Sequence, residues 1–233
     1  MLSPNGLHHV AISTGDIKAQ IEYFSDVLGM ELVALYWMHG VANTFHGFMK
    51  MGEEAVAFVF KEENQGIETI MGQTHSGNAG EASAPGTMQH IAFNVDSLEE
   101  LQAMRDRIRS RGINVMGPLD HGMCHSIYFA GPEHLSLEIS TSGAADAPLD
   151  SRGTWIDPEV VALAGINSAE LKRYMSPTDY TNNGEPLTNP GIDPGKPQMT
   201  YPQGALELIL NTPDEALLNS VDNAPPSPGG LPA

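Results

Sequence analysis

The chain has 233 residues, 41% of them hydrophobic, enough for a packed globular protein of one large domain or two small ones. Its formal net charge of -18, from 29 acidic against 11 basic residues, argues against nucleic acid and anionic membrane as partners, since both need clustered Lys and Arg. No apolar run approaches the roughly 18 residues of a membrane span, MLSPNG carries no secretory signal pattern, and the single cysteine, Cys124, excludes an internal disulfide, so a soluble cytoplasmic protein is expected.

Residues 7–13, LHHVAIS, read as a strand. DIKAQIEYFSDVLG follows with Ile17, Ile21, Phe24 and Leu28 at helical spacing and Gly29 as its C-cap. MELVALYWM, ANTFHGFMKM and EAVAFVFK then read as three strands, a βαβββ order over about 6–61. A Gly/Ser/Glu-rich loop, 62–86, comes next; loops this long are usually functional or mobile, and with His75 it is a candidate lid. The order then recurs over about 87–142. MQHIAFNV is a strand, and 97–112 a helix with Ser97 as N-cap, Glu100 at the capping-box position and Gly112 at its end. INVMG, HSIYFAG and HLSLEIS are three more strands. His9-Val-Ala-Ile-Ser aligns with His90-Ile-Ala-Phe-Asn, so the repeat is in register. The fold class is α+β: a domain over 1–142 of two βαβββ modules, then a Pro/Gly-rich extension over 143–233. The extension shows weak helices at about 157–175 and 204–218 and reads as a wrapping or oligomerisation arm, which makes a homo-oligomer the expectation.

All nine histidines lie between 8 and 134, so any histidine chemistry belongs to the modules. Strand residues alternate between faces. Val10 and Ile12 share one face with His8; His9, Ala11 and Ser13 share the other, which looks into a concavity. In the second module His90, Ala92 and Asn94 take that face, and in the last strand Ser136, Glu138 and Ser140 do. A carboxylate between Leu137 and Ile139 needs a partner if it is not solvated. Each residue alone reads as a polar group on a solvated sheet. Together, His9, His90 and Glu138 form a 2-His-1-carboxylate set, the non-haem Fe(II) pattern.

Residues 6–142 resemble the vicinal oxygen chelate (glyoxalase/bleomycin resistance/dioxygenase) superfamily, in which paired βαβββ modules form a cupped mixed sheet around a divalent metal or an empty ligand cleft. The chain is most similar to type I extradiol ring-cleavage dioxygenases. The resemblance implies iron on His9, His90 and Glu138. The dioxygenase signature is matched by His121, five residues, Ile127, Tyr128, Pro132 and Glu138; Leu119, Gly131 and His134 depart from it. A glyoxalase pattern also needs an acidic ligand on the fourth strand of the first module, where AVAFVF has none. The dioxygenases carry a catalytic His in a stretch like HHSLAF; here the stretch is EEAVAF, so Glu54 replaces it or the role passes to His46. The resemblance implies Tyr128 as hydrogen-bond donor to substrate and His121, His46 or Glu54 as base. Tyr36, Trp37, Phe45 and Met49 are candidate pocket walls, and Cys124 lies beside the site. The implied activity is an Fe(II)-dependent extradiol dioxygenase of aromatic compound catabolism, with a small aromatic diol and O₂ as partners. Alternatives are a metal-dependent isomerase or lyase using Mn(II), Zn(II), Ni(II) or Co(II), and a non-catalytic small-molecule binding protein.

Overall fold

The computed structural model describes residues 2–181 and 184–226. The first module runs β1 (His9–Thr14), α1 (Ile17–Asp26), β2 (Glu31–Trp37), β3 (Thr44–Met51) and β4 (Glu54–Lys61). The second runs β5 (Ile91–Asn94), α2 (Leu98–Ser110), β6 (Val115–Asp120), β7 (His125–Ala130) and β8 (Ser136–Thr141). Each folds into a four-stranded sheet, ordered β1-β4-β3-β2 and β5-β8-β7-β6. The first strand of each pairs parallel with the last, and the other pairs are antiparallel. This is the duplicated βαβββ order of the sequence.

Local chemistry places the helices. The Asp16 carboxylate accepts the Ala19 N–H (3.0 Å) to start α1, and Ser97 Oγ accepts the Glu100 N–H (3.2 Å) to start α2. Glu100 reaches back to the N–H of Asp96 (2.9 Å), one position before the N-cap, so the capping box closes a residue early. Gly29 and Gly112 follow the two helices with φ of +78° and +79°, a backbone that a Cβ would strain.

The pleat sorts the side chains as their alternation requires. In β1, Ile12 and Thr14 are buried while His9, Ala11 and Ser13 are exposed. Met49, Val56 and Phe58 face α1, and Ile127, Leu137 and Ile139 face α2; all are buried. Phe24 of α1 packs edge-on against Phe58 (4.7 Å) and against Phe93 of the second module (6.2 Å), so one core serves both halves. Polar links close the seam. Tyr23 Oη donates to Ala130 O (2.6 Å), and Arg107 donates to Val27 O (2.9 Å) and Asp26 O (2.8 Å). Glu133 accepts from Thr14 Oγ1, Gly15 N and Gln20 Nε2 at 2.6–2.7 Å.

Three expectations change in detail. The sixth strand begins later than INVMG and slips register between Met116 and Leu119, around Pro118, which has no N–H for the ladder. Phe45 and Met49 lie on the helix-packed face of β3, so neither walls the concavity; Met49 is wholly buried in the core. Each weak helix of the extension breaks in two: α3 (Pro158–Leu163) and α4 (Ser168–Met175) part at Gly165, φ +71°, and α5 (Ala205–Asn211) and α6 (Asp214–Leu218) part at Pro213. None of the four buries a side chain. Trp155 anchors the extension instead, donating from Nε1 to Ala147 O (2.7 Å) and lying over Gly122, where a Cβ would meet the indole at 2.8 Å.

Candidate functional site

The concave face of the second sheet carries the densest chemistry. On β8, Glu138 sits between Ala92 of β5 and Tyr128 of β7, its cross-strand neighbours. It is 5% exposed. A carboxylate buried this far needs charge or hydrogen-bond partners, and it has both. His90 Nε2 stands 2.9 Å from Oε2, and Ser140 Oγ donates to Oε1. Since the carboxylate can only accept, the remaining protons have one direction. Ser126 donates to Ser140 (2.9 Å), and the Cys124 thiol in turn faces Ser126 Oγ (3.5 Å). Cys124, Ser126 and Ser140 therefore form a chain that reaches one carboxylate oxygen through Ser140 alone, leaving the other for His90.

Beside this pair stands a second. Tyr128 Oη meets His121 Nε2 at 3.0 Å. Burial raises the pKa of the Tyr128 phenol and the nearby Glu138 charge raises it further, so it stays protonated and able to donate. His121 is held at the head of its turn by its own N–H to Cys124 O (2.9 Å). The 62–86 loop lies over this face. Gly77–Gly80, with Met116, Tyr128, Ala130 and Ser136, lines an open cavity of about 390 Å³, within the usual range for small-molecule sites. His75 lies in another part of the loop, facing a cavity beside Ser13 and Glu133.

The first module's concave face is aromatic and histidine-bearing. His46 packs against Tyr36 (4.4 Å) and Phe48 (4.9 Å), and Tyr36 also meets His39 (5.4 Å). Burial lowers the His46 pKa, with repulsion from His39 and His9 adding to it, and its Nε2 is buried without a hydrogen-bond partner. His46 is therefore a neutral imidazole with a free nitrogen. Glu54 does not share this face. The pleat puts it with Val56 and Phe58, on the helix side of β4, which removes it as a base for the concavity. Trp37 likewise pairs with Phe45 and turns away, while Tyr36 faces in.

The expected three-donor centre is not closed. His9 is exposed on the correct face, but its Nδ1 faces His8 Nδ1 at 2.9 Å and its ring meets Phe48. Among the described residues, no three His, Cys, Asp or Glu side chains stand close enough together to hold a metal ion. Two of the three do meet. His90 Nδ1 contacts Gln89 Oε1 while Nε2 faces Glu138, so both ring nitrogens look at oxygen acceptors. A cation beside Nε2 would meet the imidazole and the carboxylate together. In donor type, the pair fits a divalent metal; His9 is the third donor available, from the other module. Alternation along HLSLEIS already places Ser140 on the face of Glu138, though it does not foretell the hydrogen bond; Ser126 shares the parity of Tyr128, and only adjacency to His90 marks Gln89.

A paired βαβββ body with imidazoles and a carboxylate on its concave faces defines a class, and comparison gives the family. Residues 6–139 match the Glyoxalase/Bleomycin resistance protein/Dioxygenase superfamily, and the chain belongs to it. Its relatives split between two chemistries. A lactoylglutathione lyase of Pseudomonas aeruginosa is 28% identical over 147 residues, 57% of this chain and 80% of its own length. A biphenyl-2,3-diol 1,2-dioxygenase 3 of Rhodococcus globerulus is 22% identical over 201 residues, 79% of this chain and 97% of its own. A solved glyoxylase/bleomycin resistance protein/dioxygenase domain from Frankia sp. aligns with a TM-score of 0.47 and 13% identity, over 60% of this chain and 98% of that one. In the described residues, no helix is long and apolar enough to cross a membrane.

Proposed function

We propose that the chain is an Fe(II)-dependent extradiol-type dioxygenase that opens the ring of a small aromatic diol with O₂. The observation that carries this reading is the neighbouring of two pairs on one face, His90–Glu138 and Tyr128–His121, beside a small-molecule cavity. The first module weighs the same way. The concave side of β4 offers Ala55, Ala57 and Val59, with no carboxylate for a glyoxalase-type fourth ligand. The similarity to the diol dioxygenase also extends over more of the chain than the two modules contain.

His9, His90 and Glu138 would hold the metal, which when bound supplies Lewis acidity and electron transfer between diol and O₂. The protein's own residues do the rest. Tyr128 donates a hydrogen bond to a substrate oxygen and opposes charge build-up there. His121 orients that phenol through Nε2. His46, neutral and unpartnered, accepts a diol proton. The Gly77–Gly80 wall borders the ring on the Tyr128 side.

The test is anaerobic reconstitution with Fe(II), then a panel of catechols with an oxygen electrode and ultraviolet detection of ring-opened product. Stoichiometric O₂ uptake with product formation is expected. Turnover of a substrate without O₂ under Zn(II), Ni(II), Co(II) or Mn(II), with none under Fe(II) and catechols, would replace the reading with a lyase or isomerase. Ligand binding without turnover under either regime would leave a binding protein.

A further inference from the structure

We propose that Trp155, from the extension, is a positioning residue that clamps the turn 121–124 and thereby sets His121 against Tyr128. Its effect on turnover rests on the reading of Tyr128 as a donor to substrate; its hold on the turn does not.

The turn needs a brace. It joins β6 to β7, and β6 is the edge strand of its sheet, so no further strand supports it from outside. From within, it has the His121 N–H to Cys124 O (2.9 Å) and the Gly122 N–H to the Asp120 carboxylate (2.7 Å). These bonds fix the shape of the turn, and neither reaches beyond the hairpin. His121 itself is exposed. The reach of its Nε2 to Tyr128 Oη, 3.0 Å, depends on where the turn lies.

The extension supplies the brace at three points. Ala147 N–H donates to Gly122 O (3.2 Å), and Ser142 Oγ donates to Met123 O (3.0 Å). The Trp155 indole covers Gly122 so closely that a Cβ there would stand 2.8 Å from Cη2 and 3.3 Å from Cζ2. Trp155 also steadies the first of these ties, because its Nε1 donates to Ala147 O (2.7 Å). The residue that holds Gly122 O is thus itself held by the indole. A turn built on Asp150 presents the ring: the carboxylate accepts from Arg152 N (2.9 Å) and from Thr154 Oγ1 (2.8 Å). Trp155 is 46% exposed, so its place comes from these contacts and not from a core. Removing the indole frees Gly122 and Ala147 together. A shift of the turn by about 1 Å then carries the His121–Tyr128 pair beyond hydrogen-bond distance, and a misplacement of that size typically costs about 10²-fold in rate.

The experiment uses the full-length chain. In metal-free protein, the ring-to-ring nuclear Overhauser effect between His121 and Tyr128 reports their contact, with Phe24 and Phe58 as the control pair. Trp155→Ala should lose the first signal and keep the second. With Fe(II) and a catechol that wild type turns over, Trp155→Ala should lower kcat by up to about 10²-fold at unchanged KM. The double variant Trp155→Ala, Tyr128→Phe should be no slower than Tyr128→Phe alone, since the indole acts through that phenol. A His121–Tyr128 contact unchanged in Trp155→Ala overturns the proposal, and so does a double variant slowed by the product of the two single factors. If Trp155→Ala fails to fold, Trp155→Phe decides: it fills part of the space yet lacks both the N–H and the far edge of the indole, and an unchanged contact there overturns the proposal. If wild type turns over no catechol while the contact behaves as stated, the dioxygenase reading fails and the clamp stands.

Discussion

Ser140→Ala isolates the hydroxyl relay under Glu138. In the native protein Ser140 donates to the Glu138 carboxylate and accepts from Ser126, which is wholly buried. The substitution removes a charge-assisted hydrogen bond and strands the Ser126 hydroxyl. Bonds to charged groups contribute about 1.5–3 kcal/mol, and a buried donor left unsatisfied costs about 1–3 kcal/mol. The two overlap here, because Ser126 retains the Cys124 contact and the new methyl leaves little void. An overall loss of about 2–3 kcal/mol is expected. Urea unfolding of the metal-free chain measures it as a lower midpoint at unchanged slope. Ser136→Ala is the control, two residues before Glu138 on the same face of the same strand, and should stay within about 0.5 kcal/mol of wild type. If the two variants unfold together, the relay carries no stability and the burial of Glu138 rests on His90 alone.

Tyr128→Phe should bind iron and substrate as wild type does yet turn over about 10²–10³-fold more slowly, read from single-turnover kinetics. The depressed pKa of His46 fixes the sign of a pH effect. Its contribution to stability is full above the unfolded value of 6.5 and is lost as pH falls toward the lower folded value, so a His46→Gln variant should show a shallower decline of Tm between about pH 7 and about pH 5. Phe24→Ala, emptying the contact shared by Phe58 and Phe93, should cost about 3–5 kcal/mol in the same urea assay. Truncation after Ser142 removes Trp155 from Gly122; amide exchange around Gly122–Cys124 should rise while the β8 amides hold, and sedimentation of the two forms measures whether the extension also joins copies of the chain.

Much of this was legible because strand faces depend on parity alone. The alternation in HVAIST and HLSLEIS put His9 and Glu138 on exposed and concave faces before any packing was known, and both lie there. Parity also settles Glu54, which has the same register as Val56 and Phe58. What parity does not carry is how one module sits on the other. That relation depends on Phe24 against Phe93 and on Glu133 reaching Thr14, Gly15 and Gln20, contacts between residues distant in sequence. Hence His90, at the head of β5, meets Glu138 on the neighbouring strand, while His9 does not join them. Of the three departures from the dioxygenase signature, His134 stands at φ +63°, a left-handed backbone that glycine adopts with least strain and that the pattern of residue types does not foretell.

Across the seam, several links are addressed to main chain. Arg107 reaches the carbonyls of Asp26 and Val27, and Tyr23 reaches that of Ala130. A carbonyl is supplied by every residue type, so the receiving positions are under no demand for side-chain identity from these bonds. Mutational drift should therefore be lopsided. Exposed Ala130 is free to change with the junction intact, and a change at Asp26 forfeits only its side-chain ion pair with Arg111 (3.1 Å) while the carbonyl still receives Arg107, whereas Arg107 and Tyr23 have no substitute that spans the same gap. A descendant that lost Arg107 would have to rebuild the junction with a new long donor, and could not repair it by changing Asp26.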